Sequence, residues 1–207
     1  MSRHYDFASQ TLFTQEELHT RIRSVAARIA ADYKDKDLRY LDNPLVLVCV
    51  LKGSFIFAAD LSRALGDAGV PVRVEFICVA SYGSGVSSSG QVRLLLDTRH
   101  SVEHRHVLLV EDIVDSALTL QYLHAHYAAR RPATLRTVVL LDKPTGRRLS
   151  FTPDYVVATV PNAFVVGYGL DYDESYREVR DVVVLDPKIY AHRLRQKAKT
   201  TEAKSKL

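Results

Sequence analysis

The 207-residue chain has only two cysteines, Cys49 and Cys78, and both lie inside apolar runs. So few cysteines exclude a disulfide framework, and their spacing fits no metal site, so both read as buried free thiols of a reducing compartment. The eight histidines form no H-E-x-x-H or similar ligand pattern. His124 and His126 sit two apart, which sends them to different faces of a helix. Zinc is therefore not expected. No apolar stretch reaches the roughly 20 residues of a membrane span. Residues 1–6, Met-Ser-Arg-His-Tyr-Asp, lack an apolar signal region, so neither membrane nor secretion is expected. No G-x-G-x-x-G follows any apolar strand, which argues against a nicotinamide-dependent Rossmann enzyme. No internal repeat is present.

Basic charge is scarce where a nucleic-acid face would need it. The chain carries +4 overall, but residues 187–207 hold seven Lys/Arg against one Glu, which leaves residues 1–186 at −2. The basic character belongs to a tail, and no nucleic-acid partner is expected. The reading is one domain over 1–187 followed by a basic tail over 188–207. The tail closes on Ser205-Lys206-Leu207, a peroxisome-type address read by an import receptor, so a peroxisome-like microbody is the expected location.

Apolar periodicity is plentiful. Thr14-Gln-Glu-Glu17 is a capping box, with Leu18, Ile22, Val25, Ala26 and Ile29 following at helical spacing. Pro44–Leu51 reads as a fully apolar strand ending at Lys52-Gly53-Ser54, and Phe55–Leu65 as a helix. In Val70–Ala80 the residues Val72, Val74, Phe76 and Cys78 alternate against Arg73 and Glu75, as in a strand with one buried face. Gln91–Asp97, Leu135–Leu141 and Tyr155–Val160 add strands, with shorter ones near Phe164 and at Val182–Leu185. Strands alternating with helices imply an α/β fold with a doubly wound, mostly parallel sheet. Ser81–Gly90 is the one low-complexity patch, and a long polar loop inside a compact domain reads as a lid.

One segment carries chemistry. In Val107-Leu-Leu-Val-Glu111-Asp112-Ile-Val-Asp115-Ser116-Ala117-Leu118-Thr119, an apolar strand runs into two adjacent carboxylates, then a third, then a hydroxyl-bearing turn that opens a helix near Ser116–Ala129. Open α/β sheets bind ligands at the carboxyl ends of their strands. Free N–H groups at a helix start favour phosphate in the turn over Asp115–Thr119. Glu111 and Asp112 would repel a phosphate, so they suit ribose hydroxyls or a magnesium ion. A phosphorylated sugar fits the whole pattern.

The segment resembles the phosphoribosyl-pyrophosphate signature of type I phosphoribosyltransferases, with Ala117 where that family usually has glycine. An ordinary φ is expected there, since positive φ would strain an alanine. Lys143 and the Phe164–Glu174 stretch extend the resemblance to hypoxanthine-guanine phosphoribosyltransferases of the parasite, microbody-addressed type, from about Phe7 to Pro187. The resemblance implies a small hood formed by N- and C-terminal segments, and a homodimer or homotetramer. It implies that Lys52, Gly53, Glu111, Asp112, Asp115, Ser116, Ala117, Leu118, Thr119 and Arg177 bind the phosphoribosyl and pyrophosphate groups. It also places a cis peptide in the Lys52-Gly53 loop of many members. Lys143 would donate to a purine O6, Phe164 stack on the ring, and the Val165 backbone meet the base edge. Asp171 would join Glu111 and Asp112 in holding Mg2+, Asp115 would act near purine N7, and Ser81 and Tyr82 would start the lid. Two alternatives stay open: a non-catalytic sensor of phosphoribosyl pyrophosphate, and a pyrimidine phosphoribosyltransferase.

Overall fold

The computed structural model describes residues 4–82, 91–146 and 149–191. Its elements run β1 (Ala8–Phe13), α1 (Gln15–Tyr33), β2 (Leu45–Leu51), α2 (Phe55–Asp67), β3 (Val72–Tyr82), β4 (Gln91–Leu96), β5 (His106–Val114), α3 (Leu118–Ala128), β6 (Thr134–Asp142), β7 (Tyr155–Thr159), β8 (Val165–Val166) and β9 (Val182–Leu185). Residues 83–90 of the expected lid, and the Ser205-Lys206-Leu207 address, lie outside the described residues.

Six strands form the main sheet in the order β4-β3-β2-β5-β6-β7. All pairs are parallel except β4, which closes one edge antiparallel to β3. The unbroken apolar run of β2 is explained by burial on both faces. Leu45, Leu47 and Cys49 pack with α1 and α2, while Val46, Val48 and Val50 pack with Leu123 and Tyr127 of α3. Both halves of the capping box form: Glu17 N donates to the Thr14 hydroxyl at 3.3 Å and Thr14 N to the Glu17 carboxylate at 2.8 Å. The hood is a second sheet, β1-β9-β8, which joins residues from the two ends of the chain. The helical turn at 187–191 stays packed, with the Tyr190 ring 5.5 Å from Phe164. No helix among the described residues is long and apolar enough to cross a membrane.

β3 corrects the expected alternation. Val74 and Phe76 are 40% and 44% exposed, whereas Glu75 is buried at 7%. Glu75 accepts from the Arg99 backbone N–H at 3.0 Å and meets His100 Nδ1, so its burial is satisfied. Cys49 is buried as expected, and burial pushes its thiol up to about 12, but Cys78 is only half-buried.

The far end of α3 is tied to β4 by Asp97. Burial alone would raise this carboxyl, but the Arg130 guanidinium and the Thr98 N–H hold it down to about 2. A carboxyl lowered in the fold stabilises above its unfolded value and loses that contribution as pH falls through the folded value. The stability gap between wild type and Asp97→Asn should thus be full above about pH 5 and shrink towards pH 2. Thermal melts of both proteins across that range check it, and a constant gap would contradict it.

Candidate active site

β2 and β5 are neighbours, but the chain leaves them in opposite directions: through α2 to β3, and through α3 to β6. The crevice at their carboxyl ends is a topological switch point, where open α/β sheets bind ligands. A cavity of about 400 Å3 opens there. Lys52, Gly53, Glu111, Asp112, Asp115, Ser116, Ala117, Thr119, Asp171 and Arg177 all line it. Leu118, the first residue of α3, does not.

The start of α3 faces this crevice, and α2 starts just after the Lys52-Gly53 wall. α3 has no side-chain cap, so its first-turn N–H groups are available to an anion. In α2 the Ser54 hydroxyl donates to the Val50 carbonyl at 2.6 Å instead of capping the helix. The strand carrying the two carboxylates runs farther than its apolar part, to Val114, and pairs with β6 on both sides of Asp112.

Ala117 has φ 66 and ψ 3, in the left-handed region, where an ordinary φ was expected. Its methyl is 4% exposed in a cluster with Val114, Leu120 and Val139, which explains how an alanine holds this position. Left-handed strain of about 1–2 kcal/mol is offset by roughly 0.8 kcal/mol of methyl burial and by the about 0.5–1 kcal/mol entropic penalty that glycine would bring. Ala117→Gly should therefore leave unfolding free energy within about 1 kcal/mol of wild type. A urea titration tests this, and a gain beyond about 2 kcal/mol would refute the compensation.

The carboxylates differ in setting. Burial raises Glu111 well above its usual range, and the neighbouring Asp112 carboxylate adds to the effect. Burial also raises Asp112, against a lowering hydrogen bond with Glu111. A Cβ added at Gly53 would lie 1.6 Å from Asp112 Oδ2, so the glycine lets backbone and carboxylate meet. Asp171 is engaged by Arg177 at 2.9 Å and by the Glu174 N–H at 2.9 Å. Glu111, Asp112 and Asp171 all line the cavity, but they do not meet as a preassembled metal cluster. Among the described residues no three His, Cys, Asp or Glu side chains do.

Asp115 is held by the Lys143 ammonium, 3.2 Å from its Oδ2, and lies beside Gly146, where an added Cβ would fall 1.7 Å from its Oδ1. Lys143, Phe164 and Val165 lie outside the cavity lining. Phe164 is 41% exposed, with its ring edge-on to Tyr172 at 5.5 Å, and Val165 is buried in β8. Ser81 and Tyr82 end β3. The cis peptide is Leu51–Lys52, one bond before Lys52-Gly53.

Sequence reading passed over Gly146 and the bridging role of Glu174. The Glu174 carboxylate lies 2.6 Å from Lys52 Nζ and 3.3 Å from Arg177 Nη2. The Lys52 ammonium holds the Glu174 carboxyl below its usual range. The acidic run Asp171-Tyr-Asp-Glu174 gave the only hint. It also passed over the apolar walls Val50, Leu51, Val79, Ile113 and Leu120.

Comparison with known proteins agrees with this geometry. Residues 14–173 match the phosphoribosyl transferase domain. The hypoxanthine-guanine phosphoribosyltransferase of Leishmania donovani is 60% identical over 91% of this chain and 89% of its own length. That of Crithidia fasciculata is 57% identical over 91% and 90%. A Trypanosoma cruzi hypoxanthine phosphoribosyltransferase structure, from work on how its C-terminal region affects oligomeric state and activity, superposes with TM-score 0.89. It is 68% identical and covers 93% of this chain and 98% of that one. Another from the same organism, in complex with the product IMP, superposes with TM-score 0.87 at 67% identity, covering 91% of this chain and 100% of that one. The chain belongs to the phosphoribosyl transferase family, in its hypoxanthine-guanine phosphoribosyltransferase branch.

Proposed function

We propose that this protein is a purine salvage enzyme that transfers the phosphoribosyl group of 5-phosphoribosyl-1-pyrophosphate to hypoxanthine or guanine. The observation that carries the reading is the cavity at the β2–β5 switch point, where an uncapped helix start meets the Glu111-Asp112 pair, Lys52-Gly53 and Arg177. Purine N9 forms a bond to C1 of the sugar, the C1–O bond to pyrophosphate breaks, and its electron pair leaves with pyrophosphate. Ser116, Ala117, Leu118 and Thr119 give the 5′-phosphate backbone and hydroxyl donors. Glu111 and Asp112 accept from ribose hydroxyls.

Lys52 and Arg177 bind pyrophosphate after giving up Glu174. Lys52 and Glu174 are 63% and 64% exposed, and an ion pair that open is worth about 0–1 kcal/mol, so phosphate oxygens displace it readily. Asp115 takes the N7 proton or stabilises positive charge on the imidazole ring. Lys143 donates to O6 and Phe164 stacks on the purine. Adenine offers a donor at that edge and is disfavoured.

Magnesium fits these residues, because it keeps several waters and binds through one or two carboxylates plus substrate phosphates. Asp171 would hold it, with Glu111 and Asp112 nearby, so no preassembled three-residue cluster is needed. When bound, it neutralises charge on the departing pyrophosphate.

We further infer a homodimer or homotetramer, supported by the apolar side chains Val74, Phe76 and Leu96, which one chain leaves 40%, 44% and 49% exposed. Import into a peroxisome-like microbody, the glycosome, through Ser205-Lys206-Leu207 is inferred from sequence.

A steady-state assay with phosphoribosyl pyrophosphate and magnesium tests the function across hypoxanthine, guanine, xanthine, adenine and uracil. Turnover of hypoxanthine and guanine, without adenine or uracil, is expected. Uracil turnover would favour the pyrimidine enzyme. Binding of phosphoribosyl pyrophosphate without turnover of any base would favour the non-catalytic sensor.

A further inference from the structure

Between β8 and the Asp171 loop the chain turns back at Tyr168 and Gly169, with Gly167 and Leu170 exchanging backbone hydrogen bonds at 3.0 Å. Both central residues have positive φ, 53 for Tyr168 and 103 for Gly169. Tight turns with two positive φ values favour Asn, Asp and Gly, because a bulky side chain strains the first position. A tyrosine there must be held by something else.

Tyr168 is 1% exposed, and its hydroxyl donates to Asp60 on α2. Asp60 also meets the Arg63 guanidinium, and His19 of α1 lies 3.4 Å from it. The acceptor is therefore a carboxylate already fixed between two helices.

The turn carries two contacts into the cavity region. Gly169 comes so close to the Lys52-Gly53 loop that an added Cβ would sit 2.2 Å from the Gly53 carbonyl oxygen. Gly169 also grips Arg177 from both sides: its N–H donates to the Arg177 carbonyl at 3.0 Å, and its carbonyl accepts from Arg177 Nη1 at 2.9 Å. Arg177 in turn holds Asp171. One side-chain hydrogen bond thus joins α2, which starts just after Lys52-Gly53, to the turn that orients Arg177.

We propose that Tyr168, through its hydrogen bond to Asp60, is a positioning residue that sets the spacing between the Lys52-Gly53 loop and the Arg177–Asp171 pair, and so governs recognition of pyrophosphate. Tyr168 touches no substrate and acts only through Gly169. The inference rests on the reading that Lys52, Gly53 and Arg177 hold the pyrophosphate group.

Tyr168→Phe tests it, because the ring keeps its packing and only the hydroxyl is lost. KM for phosphoribosyl pyrophosphate, and the inhibition constant of added pyrophosphate, should rise about ten-fold, the size of one hydrogen bond to a charged group. KM for hypoxanthine should move less than about two-fold, since on this reading the base is held by other residues. Asp60→Asn keeps an acceptor but loses its charge, so it should raise these constants less than Tyr168→Phe does. Asp60→Ala should reproduce Tyr168→Phe, and the double variant should be no worse than either single one.

An active wild type whose Tyr168→Phe variant keeps its KM for phosphoribosyl pyrophosphate would overturn the positioning role alone. So would a variant that merely melts earlier, with both KM values moved equally. A wild type inactive with phosphoribosyl pyrophosphate would instead overturn the functional reading, and this inference with it.

Discussion

Asp115→Asn should lower kcat for hypoxanthine by roughly 10²- to 10⁴-fold, the range lost when a positioned proton acceptor is removed. Affinity for the nucleotide product should change far less. Asparagine has the shape of aspartate, so it fits the space that Gly146 leaves beside Oδ1. It can still accept a hydrogen bond from Lys143, whose ammonium lies 3.2 Å from Oδ2. What disappears is the negative charge that would take the N7 proton or face a positive imidazole. A loss confined to kcat would mark an interaction made in the transition state and not in the ground state. Stopped-flow turnover together with product titration separates the two. Unchanged turnover would remove Asp115 from the chemistry and leave Lys143 as the only polar side chain proposed to act on the base.

Sequence legibility follows how local each determinant is. β2 and β5 declared themselves because a strand buried on both faces must be apolar throughout, and the start of α1 because Thr14 and Glu17 satisfy each other within one turn. The cavity residues were legible as a group because the switch point lies at the ends of those two strands. The misses are non-local. Ala117 takes a left-handed φ because tertiary packing of its methyl compensates, which no propensity encodes. Glu75 looked solvent-facing because nothing nearby in sequence reveals that Arg99 and His100 supply its partners. Val74 and Phe76 looked buried because their alternation fits a covered strand, yet the described residues leave them 40% and 44% exposed. β1 went unread because its partner, β9, lies at the other end of the fold.

Gly53→Ala should abolish most activity while leaving the fold intact, and the nature of the obstacle decides both halves. The new methyl would lie 1.6 Å from Asp112 Oδ2 and 2.5 Å from its Cγ, so one of the two must move. The obstruction is the end of a side chain and not backbone, and Asp112 can turn about its own bonds without disturbing β5. Stability should therefore fall by no more than about 1–3 kcal/mol, the usual cost of one added methylene. Function has no such tolerance. Asp112 is proposed to accept from ribose, and a catalytic group displaced by about 1 Å can cost 10²-fold in rate. A loss of about 100-fold in kcat/KM for phosphoribosyl pyrophosphate is expected on that basis.

Two other glycines bracket the result. Gly66, in the last turn of α2, has nothing within 4 Å of an added Cβ, so Gly66→Ala should keep full activity and gain up to about 1 kcal/mol. At Gly169 the methyl would meet the Gly53 carbonyl at 2.2 Å in a residue with φ 103, so Gly169→Ala should lose stability and activity together. Melting curves and kinetics on the three variants separate an obstructed carboxylate from a broken scaffold. A Gly53→Ala protein with unchanged kcat/KM would show that the reaction does not depend on where Asp112 stands.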